Sequence, residues 1–332
     1  MTDTIALAPV DSADVQILVD NASDLLLRSD ERAKRPSFAD ASGGDAPVTV
    51  EAPLMLDPRL PETLVAEHGF SALVTVSVGG RRHRVMFDAG LSVGGLAHNL
   101  RALQIAPDDI EAIVMSHGHF DHVGGLNGLV REFGARRLPM LLHPDFWLRR
   151  RLAPPNAAPF ELPIASRAAV EGAGFEVIEE RRASLLLDGA VLITGEVDRT
   201  TAFERGFAVH QAFRNGAWEP DPLILDDQAL IANVRGRGLL ILTGCGHAGV
   251  VNIVRHAQKL TGEARAAAVI GGFHLNGPLF AASIEPTIAA LREIAPALVV
   301  PGHCTGFEAT RAFSQTLPDA FVQTSVGTRF VL

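Results

Sequence analysis

Short apolar, β-branched runs alternate with helical patterns along most of the chain. Residues 70–78 and 84–87 are two such runs, joined by Gly79-Gly80, a dipeptide typical of a β-hairpin turn. Two more hairpins are predicted at residues 184–194 and 228–243. Other short apolar runs predict strands at residues 15–20, 113–115, 139–143, 267–270 and 298–300. Apolar positions at helical spacing predict helices at residues 94–103, 126–133, 250–260 and 284–294.

This order is rich in strands, has helices at intervals in each half and contains no short-period repeat. It predicts an α/β fold in which two halves pack their sheets face to face. We expect a single domain spanning residues 1–332. Three segments fit neither pattern well and are predicted loop insertions, at residues 28–53, 152–165 and 199–222. Because loops on a rigid scaffold often carry specificity, we expect substrate recognition there.

The charge balance argues against nucleic acid as a partner. The net charge is −9, and binding to phosphate backbones needs clustered Lys and Arg. Arginines at 81–82, 136–137, 149–151 and 181–182 are too scattered to form one stripe, so we expect them on solvated surfaces. No window approaches the roughly 18 apolar residues of a membrane span. The start of the chain lacks the basic and apolar regions of a secretory signal, which predicts a soluble, cytoplasmic protein.

The segment Ser116–His122 has the sequence Ser-His-Gly-His-Phe-Asp-His. It places four potential metal ligands within six residues, on the predicted connection between strand 113–115 and helix 126–133. Imidazole and carboxylate groups are ligands that zinc, iron and manganese accept. Without a metal, a buried cluster of this kind would leave polar groups unpaired, at about 1–3 kcal/mol each. The segment therefore predicts a metal site.

Three later loops supply further candidate ligands. Residues 243–249 read Thr-Gly-Cys-Gly-His-Ala-Gly, residues 271–275 read Gly-Gly-Phe-His-Leu, and residues 301–306 read Pro-Gly-His-Cys-Thr-Gly. Each loop follows an apolar strand and contains glycine, which permits a tight turn at a sheet edge. Since one loop cannot complete two coordination spheres, we expect these loops to contribute ligands.

These motifs resemble the metallo-β-lactamase superfamily over most of the chain. They are similar, more narrowly, to the dihydropterin-ribofuranosylaminobenzene-phosphate synthase-like subfamily, as are Val19-Asp20-Asn21 and residues 66–71 (Ala-Glu-His-Gly-Phe-Ser). The resemblance implies an αββα fold with two mixed β-sheets packed face to face and helices outside. It also implies two sets of metal ligands, His117, His119 and His247 for the first and Asp121, His122 and His303 for the second.

One position departs from the superfamily pattern. Members usually have a metal-bridging aspartate at the end of the strand before the last helix and final histidine, and this chain has His274 there. We assign His274 to that place, as a ligand or as a hydrogen-bond donor beside the metals. A neutral imidazole does not neutralise charge between two cations as a carboxylate does. The sequence therefore leaves open whether one metal ion or two are bound.

Two acidic residues have competing interpretations. Asp88 matches a recurrent superfamily aspartate and would orient a ligand histidine, or it is a turn-forming residue. Glu196 would touch the substrate, or it forms an ion pair with Arg199. Neither alternative is decided by the sequence.

The two cysteines, Cys245 and Cys304, are too few for a disulfide framework. Each lies within two residues of a predicted ligand, so thiolate coordination is one interpretation. The favoured interpretation is a small buried hydrophobic side chain. Histidines outside the motifs, such as His210, receive no role.

Clustered metal ions activate bound water and polarise carbonyl or phosphoryl oxygens. The predicted function is therefore a metal-dependent hydrolase acting on a small ester, lactone or phosphoester. Asp121 would hold a metal and the attacking water, and His274 would protonate the leaving group. Zinc is the expected metal, as one or two ions, with manganese and iron as alternatives. The subfamily resemblance implies a second possibility, a synthase-like transferase, and an iron-dependent redox enzyme is a third.

Overall fold

The computed structural model describes residues 4–36, 48–135 and 137–332, so the predicted insertion at 28–53 and Arg136 lie partly or wholly outside the described residues. The strands of the first half are β1 (Pro9–Val10), β2 (Ser12–Val19), β3 (Ala33–Lys34), β4 (Thr49–Glu51), β5 (Arg59–Pro61), β6 (Ser71–Val78), β7 (Arg81–Phe87), β8 (Ala112–Val114), β9 (Leu138–Leu142), β10 (Arg150–Leu152), β11 (Phe160–Glu161) and β12 (Phe175–Glu179). Those of the second half are β13 (Ser184–Leu186), β14 (Val191–Ile193), β15 (His210–Arg214), β16 (Ala217–Pro220), β17 (Leu230–Val234), β18 (Gly238–Thr243), β19 (Ala266–Gly272), β20 (Val299–Gly302) and β21 (Arg329–Val331). The α-helices are α1 (Gly95–Ala102), α2 (Leu126–Phe133), α3 (Arg167–Gly172), α4 (Val250–Thr261), α5 (Ala281–Ile294) and α6 (Phe307–Thr316).

Two mixed sheets form the centre of the fold. The N-terminal sheet has the order β12-β9-β8-β7-β6-β2-β21-β3. The C-terminal sheet has the order β13-β14-β17-β18-β19-β20, with β1 also paired to β17. Strands β7, β8 and β9 are parallel, and so are β18, β19 and β20. The carboxyl ends of parallel strands meet at one sheet edge, and the histidine-bearing loops follow those ends.

The alternation of side chains along the strands creates three apolar layers. Ile17 and Val74 of the N-terminal sheet pack with Leu240 of the C-terminal sheet in one core between the sheets. Ile241, on the opposite face of the C-terminal sheet, packs with residues of α4, α5 and α6. Met86, on the outer face of the N-terminal sheet, packs with residues of α1 and α2. The layers are helix, sheet, sheet and helix, which confirms the predicted αββα fold.

Two segments predicted as loops contain a further sheet. Strands β10 and β11 lie in and beside the predicted insertion 152–165, and β15 and β16 lie within 199–222. They form a four-stranded antiparallel sheet in the order β11-β10-β15-β16. The ladder pairs Arg150 with Ala212, which is far away in the sequence, so no local pattern announces it. The loop prediction was wrong for these strands.

Within the described ranges, none of the helices combines the length and apolar character needed to cross a membrane.

Candidate metal centre

The turn that carries the first two histidines is fixed by a buried carboxylate. The Gly118 amide donates to Asp226 Oδ2 at 2.9 Å, and Arg150 Nη2 donates to Asp226 Oδ1 at 2.6 Å. A Cβ atom on Gly118 would overlap the carbonyl oxygen of Phe146. Glycine is therefore required where the loop passes this carbonyl, and the turn brings His117 Nε2 within 3.0 Å of His119 Nδ1.

His117, His119 and His247 form the first group of donors, named cluster 1. His119 Nδ1 lies 3.0 Å from His117 Nε2 and 3.2 Å from His247 Nε2. All three side chains are buried. Burial, with a further contribution from nearby positive groups, lowers the pKa of each imidazole well below its usual value. The three rings are therefore neutral at pH 7 and present lone pairs to one another.

Two of these rings are oriented by hydrogen bonds at the ring nitrogen that points away from cluster 1, Nδ1 of His117 and Nε2 of His119. Ser116 donates its hydroxyl to Asp88 at 2.6 Å, so its oxygen accepts from His117 Nδ1 at 2.9 Å. His210 donates from Nδ1 to the carbonyl of Asp221 at 3.0 Å, so its Nε2, 2.9 Å from His119 Nε2, accepts. This network leaves the lone pairs of His117 Nε2 and His119 Nδ1 facing the cluster, as in metal-binding histidines.

Asp121, His122, Cys245 and His303 form the second group, named cluster 2, whose donor atoms all lie within 4.8 Å of one another. Asp121 Oδ2 is 3.3 Å from His303 Nε2 and 3.7 Å from His122 Nε2. Cys245 Sγ is 3.1 Å from His122 Nε2 and 3.4 Å from His303 Nε2. The cysteine thus contacts two predicted ligands, which the favoured sequence interpretation did not include.

The histidines of cluster 2 are also held from outside. Asp88 has a positive φ of 59°, and its carboxylate accepts from His122 Nδ1 at 2.7 Å and from the Ser116 amide at 2.7 Å. His303 also has a positive φ, 47°, and its Nδ1 lies 3.3 Å from Asn21 Oδ1. Both rings therefore direct Nε2 toward cluster 2. A positive φ angle is energetically costly for a residue other than glycine, and such strained residues often occur at functional sites.

Charges within cluster 2 are tightly coupled. Burial alone would lower the pKa of His122, but the carboxylates of Asp88 and Asp121 raise it to about 9. Burial would raise the pKa of Asp121, but the adjacent His122 and His303 hold it well below its usual value. A cation at Nε2 of His122 would take the place of the proton that these carboxylates stabilise.

The donor atoms of cluster 1 fit a metal ion. Zinc binds histidine nitrogen at about 2.0–2.1 Å with tetrahedral angles, which puts two ligand nitrogens roughly 3.3 Å apart. The observed separations between the donor nitrogens of cluster 1 are 3.0 and 3.2 Å. Both clusters are therefore able to hold a metal. Nitrogen, oxygen and sulfur donors of this kind do not select one ion.

His274 lies beside the clusters without joining the donor set of either. It has a positive φ of 43°, and its ring centroid is 4.1 Å from that of His247. It forms a third group with Cys245 and His247. Its buried Nδ1 has no hydrogen-bond partner among the described residues. The role assigned to His274 stays a prediction.

A pocket of about 430 Å³ opens beside cluster 1. Its walls include the rings of Phe207, Phe280, His247 and His274. Phe207 stacks parallel to His247, with 6.4 Å between ring centroids and 7° between planes. Phe280 stands perpendicular to His274 at 4.7 Å. The exposed Arg205 also lines the pocket, as does Glu204, whose carboxylate accepts from the amides of Val251 and Asn252; the pocket therefore combines aromatic walls with one cation and one carboxylate that is already hydrogen-bonded.

Two of the sequence interpretations are wrong. Arg150 is 1% exposed and pairs with Asp226, so it is not on a solvated surface as predicted. Glu196 does not pair with Arg199. It lies 3.0 Å from Arg181, whereas Arg199 donates to the carbonyl of His247 at 3.0 Å. Asp226 and Arg199 thus support the site through the turn and loop that carry the histidines.

His210 had no sequence signal. It reaches the site on β15, whose pairing with β10 is non-local.

A family model described as the metallo-beta-lactamase superfamily matches residues 67–303. The chain is 30% identical over 266 residues to a 7,8-dihydropterin-6-methyl-4-(beta-D-ribofuranosyl)-aminobenzene-5'-phosphate synthase of Methanocaldococcus jannaschii, covering 79% of this chain and 89% of that protein. An uncharacterized protein of the same organism is 31% identical over 262 residues, covering 79% and 93%. The crystal structure of Tm1679, described as a metal-dependent hydrolase of the beta-lactamase superfamily, has a TM-score of 0.68 and 23% identity, and the match covers 96% of this chain and 98% of that one.

Proposed function

The chain belongs to the metallo-β-lactamase superfamily, and from this premise we propose that it is a metal-dependent synthase that couples two organic substrates. The donor would be a dihydropterin whose 6-methyl carbon carries a diphosphate. The acceptor would be the amine of a ribofuranosyl-aminobenzene 5'-phosphate. The likeness to the synthase of Methanocaldococcus jannaschii over most of both chains supports this substrate pair.

The observation that carries the proposal is the ring-walled pocket beside cluster 1, lined by His247. Phe207 and Phe280 line it, and flat aromatic walls suit a planar heterocycle such as a pterin. The side chain of Arg205 is an exposed cation at the same pocket and suits a phosphate group.

The clusters would hold the metal and the chain would position the reactants. When bound, metal ions stabilise the negative charge that develops on the diphosphate leaving group. In the coupling, a bond forms between the amine nitrogen and the methyl carbon, the bond from that carbon to oxygen breaks, and diphosphate leaves. The amine proton passes to His274, which lines the pocket and has an unpaired Nδ1.

Hydrolysis of an ester, lactone or phosphoester is the second candidate function. The two clusters contain the groups that would hold the metal and the water, because imidazoles would bind metal and Asp121 would orient a water. His68 Nε2, 3.7 Å from Asp121 Oδ2, adds a polar contact on the exposed side of that carboxylate. His274 would then protonate the leaving group. For either function zinc is the first metal to test, followed by manganese and iron.

Product analysis separates the two functions. The protein is reconstituted with zinc, manganese or iron and incubated with the dihydropterin diphosphate, with and without the aminobenzene ribosyl phosphate. A coupled product detected by mass spectrometry supports the synthase. Release of hydroxymethyl-dihydropterin at the same rate with and without the amine supports the hydrolase. Absence of the coupled product with every metal contradicts the synthase, and absence of turnover on a panel of ester, lactone and phosphoester substrates contradicts the hydrolase.

The control variants are Asp121→Asn, which removes a cluster 2 donor, and Asp109→Asn, which changes an exposed surface carboxylate that pairs with Arg84. Activity should be lost in the first variant and kept in the second.

A further inference from the structure

We infer that the thiolate of Cys245 is a metal ligand shared between the two clusters, in place of the bridging aspartate that this chain lacks. The inference rests on the metal centre of the proposed function. It assigns a new ligand and changes the expected charge of the centre. It also replaces the sequence interpretation of Cys245 as a small buried hydrophobic side chain.

The sulfur lies at a ligand position of cluster 2. Zinc–sulfur bonds are about 2.3 Å long, so a sulfur and a nitrogen on one tetrahedral zinc are roughly 3.6 Å apart. Cys245 Sγ is 3.1 Å from His122 Nε2 and 3.4 Å from His303 Nε2. In both imidazoles the Nδ1 atom is engaged elsewhere, by Asp88 in His122 and by Asn21 in His303. The Nε2 atoms that face the sulfur are therefore the ones able to bind metal.

The same sulfur also reaches the side of cluster 1. Cys245, His247 and His274 form a group whose donor atoms lie within 4.8 Å of one another, and His247 belongs to cluster 1. The buried Nδ1 atoms of both histidines have no hydrogen-bond partner among the described residues. Cys245 therefore stands where the two donor sets meet.

The backbone explains why Cys245 can occupy this place. The loop after β18 turns at Gly246, which has a φ of 69°, and a Cβ atom there would lie 2.6 Å from the carbonyl oxygen of Gly272. Only glycine allows the loop to run this close to the end of β19. The turn leaves Cys245 2% exposed and facing the histidines.

Charge supplies the reason for a thiolate. The donors of cluster 1 are imidazoles, which bind metal in their neutral form, and Asp121 is the one carboxylate in the donor groups formed by the described residues. Two dications with a single carboxylate would leave three uncompensated positive charges in a buried site. His274 stands where the superfamily pattern has the second carboxylate. When the thiol binds, the S–H bond breaks, the proton is released to solvent and the sulfur contributes a negative charge.

Cys304 provides a matched control. It is also buried, at 8% exposure, but its Sγ donates to the carbonyl of Cys245 at 3.3 Å. It is absent from the donor groups formed by the described residues. The two cysteines thus share burial and neighbourhood, and only one is placed as a ligand.

Cobalt substitution tests the inference independently of activity, because a thiolate bound to Co²⁺ has a charge-transfer band in the near ultraviolet. The metal-free full-length protein is titrated with Co²⁺, and bound metal is counted by mass spectrometry. We expect the band in the wild type and in Cys304→Ser, and no band in Cys245→Ser. Cys245→Ser should also bind the second cobalt at least tenfold more weakly. Cys245→Asp should recover the second cobalt without the band.

Failure of the thiolate inference can be distinguished from failure of the proposed function. A wild type that binds two cobalt ions without the band, or a Cys245→Ser variant that keeps it, overturns the thiolate ligand and leaves the proposed function standing. A wild type that binds no cobalt, zinc or manganese overturns both. Circular dichroism of each variant shows whether it is folded, and Cys245→Ala serves as a second test of band loss if the serine variant does not fold.

Discussion

Replacing Arg150 with Met tests whether a buried ion pair holds the metal-binding turn. Arg150 is 1% exposed and its Nη2 donates to Asp226 Oδ1 at 2.6 Å. Asp226 is fully buried, and its other oxygen accepts from the amide of Gly118 at 2.9 Å. Because Gly118 lies between His117 and His119, Asp226 cannot move without displacing both histidines.

The expected loss of stability follows from the charge left behind. Methionine keeps much of the volume of the arginine stem, so the main effect is a buried carboxylate without its cation. Removing one partner of a buried pair costs about 3–5 kcal/mol. Arg150 holds the pKa of Asp226 below its usual value against the effect of burial, so without it the carboxyl takes up a proton more readily. That proton relieves part of the cost, and we expect about 3 kcal/mol.

Urea unfolding of the metal-free protein measures the change, with Arg149→Met as the control. Arg149 is exposed and pairs with Glu161 at 2.8 Å, and an exposed pair contributes about 0–1 kcal/mol. The double variant Arg150→Met/Asp226→Leu should regain part of the loss, since no charge remains buried. The reasoning is refuted if Arg150→Met costs no more than Arg149→Met, or if the double variant shows purely additive losses.

Three further predictions concern the groups that support the clusters. Asp88→Asn should weaken metal binding about 10–100-fold in a competition titration, because an amide cannot accept both bonds from Ser116 and one from His122; unchanged affinity would contradict this. Gly118→Ala should lose stability and metal together, because the methyl group meets a backbone carbonyl, whereas Gly172→Ala, with open space around it, should be neutral in both assays. The pKa of Asp226 is lower in the folded protein than the unfolded value of about 3.9, so its carboxylate contributes stability at higher pH that is lost as the pH falls through the folded pKa. The urea midpoint should therefore drop more steeply below about pH 4 in the wild type than in Asp226→Asn. Parallel curves for the two proteins would rule this out.

Local patterns predicted most of the fold. The hairpin at 70–87 is observed as β6 and β7, and the predicted helix at 126–133 coincides with α2, because turn chemistry and apolar spacing act over a few residues. The four-stranded sheet was missed because β10 and β15 pair across about sixty residues. The helix at 167–172 was missed because six residues are too few to show a helical period, and the helix at 307–316 was not predicted.

The candidate site likewise contains residues that the local sequence predicted and residues that it did not. The histidines of the Ser116–His122 segment were predicted as a site because four potential ligands lie within six residues. The later histidines were predicted because each lies in a glycine-containing loop at the end of a strand. The contacts of Arg150 and His210 depend on which distant strand pairs with which, so sequence offered no signal for them. Cys245 could be named as a candidate, but only the arrangement of His122 and His303 around its sulfur distinguishes a ligand from a buried small residue.

The central claim is that two donor clusters bind metal ions side by side, and anomalous diffraction from metal-loaded crystals tests it most directly. Data collected at the absorption edge of the bound metal should show two peaks in each molecule. One should lie about 2.1 Å from His117 Nε2, His119 Nδ1 and His247 Nε2, and the other should lie at a similar distance from the donors of Asp121, His122 and His303. Loaded crystals with no anomalous peak at either cluster, or with peaks only elsewhere on the chain, would contradict the account.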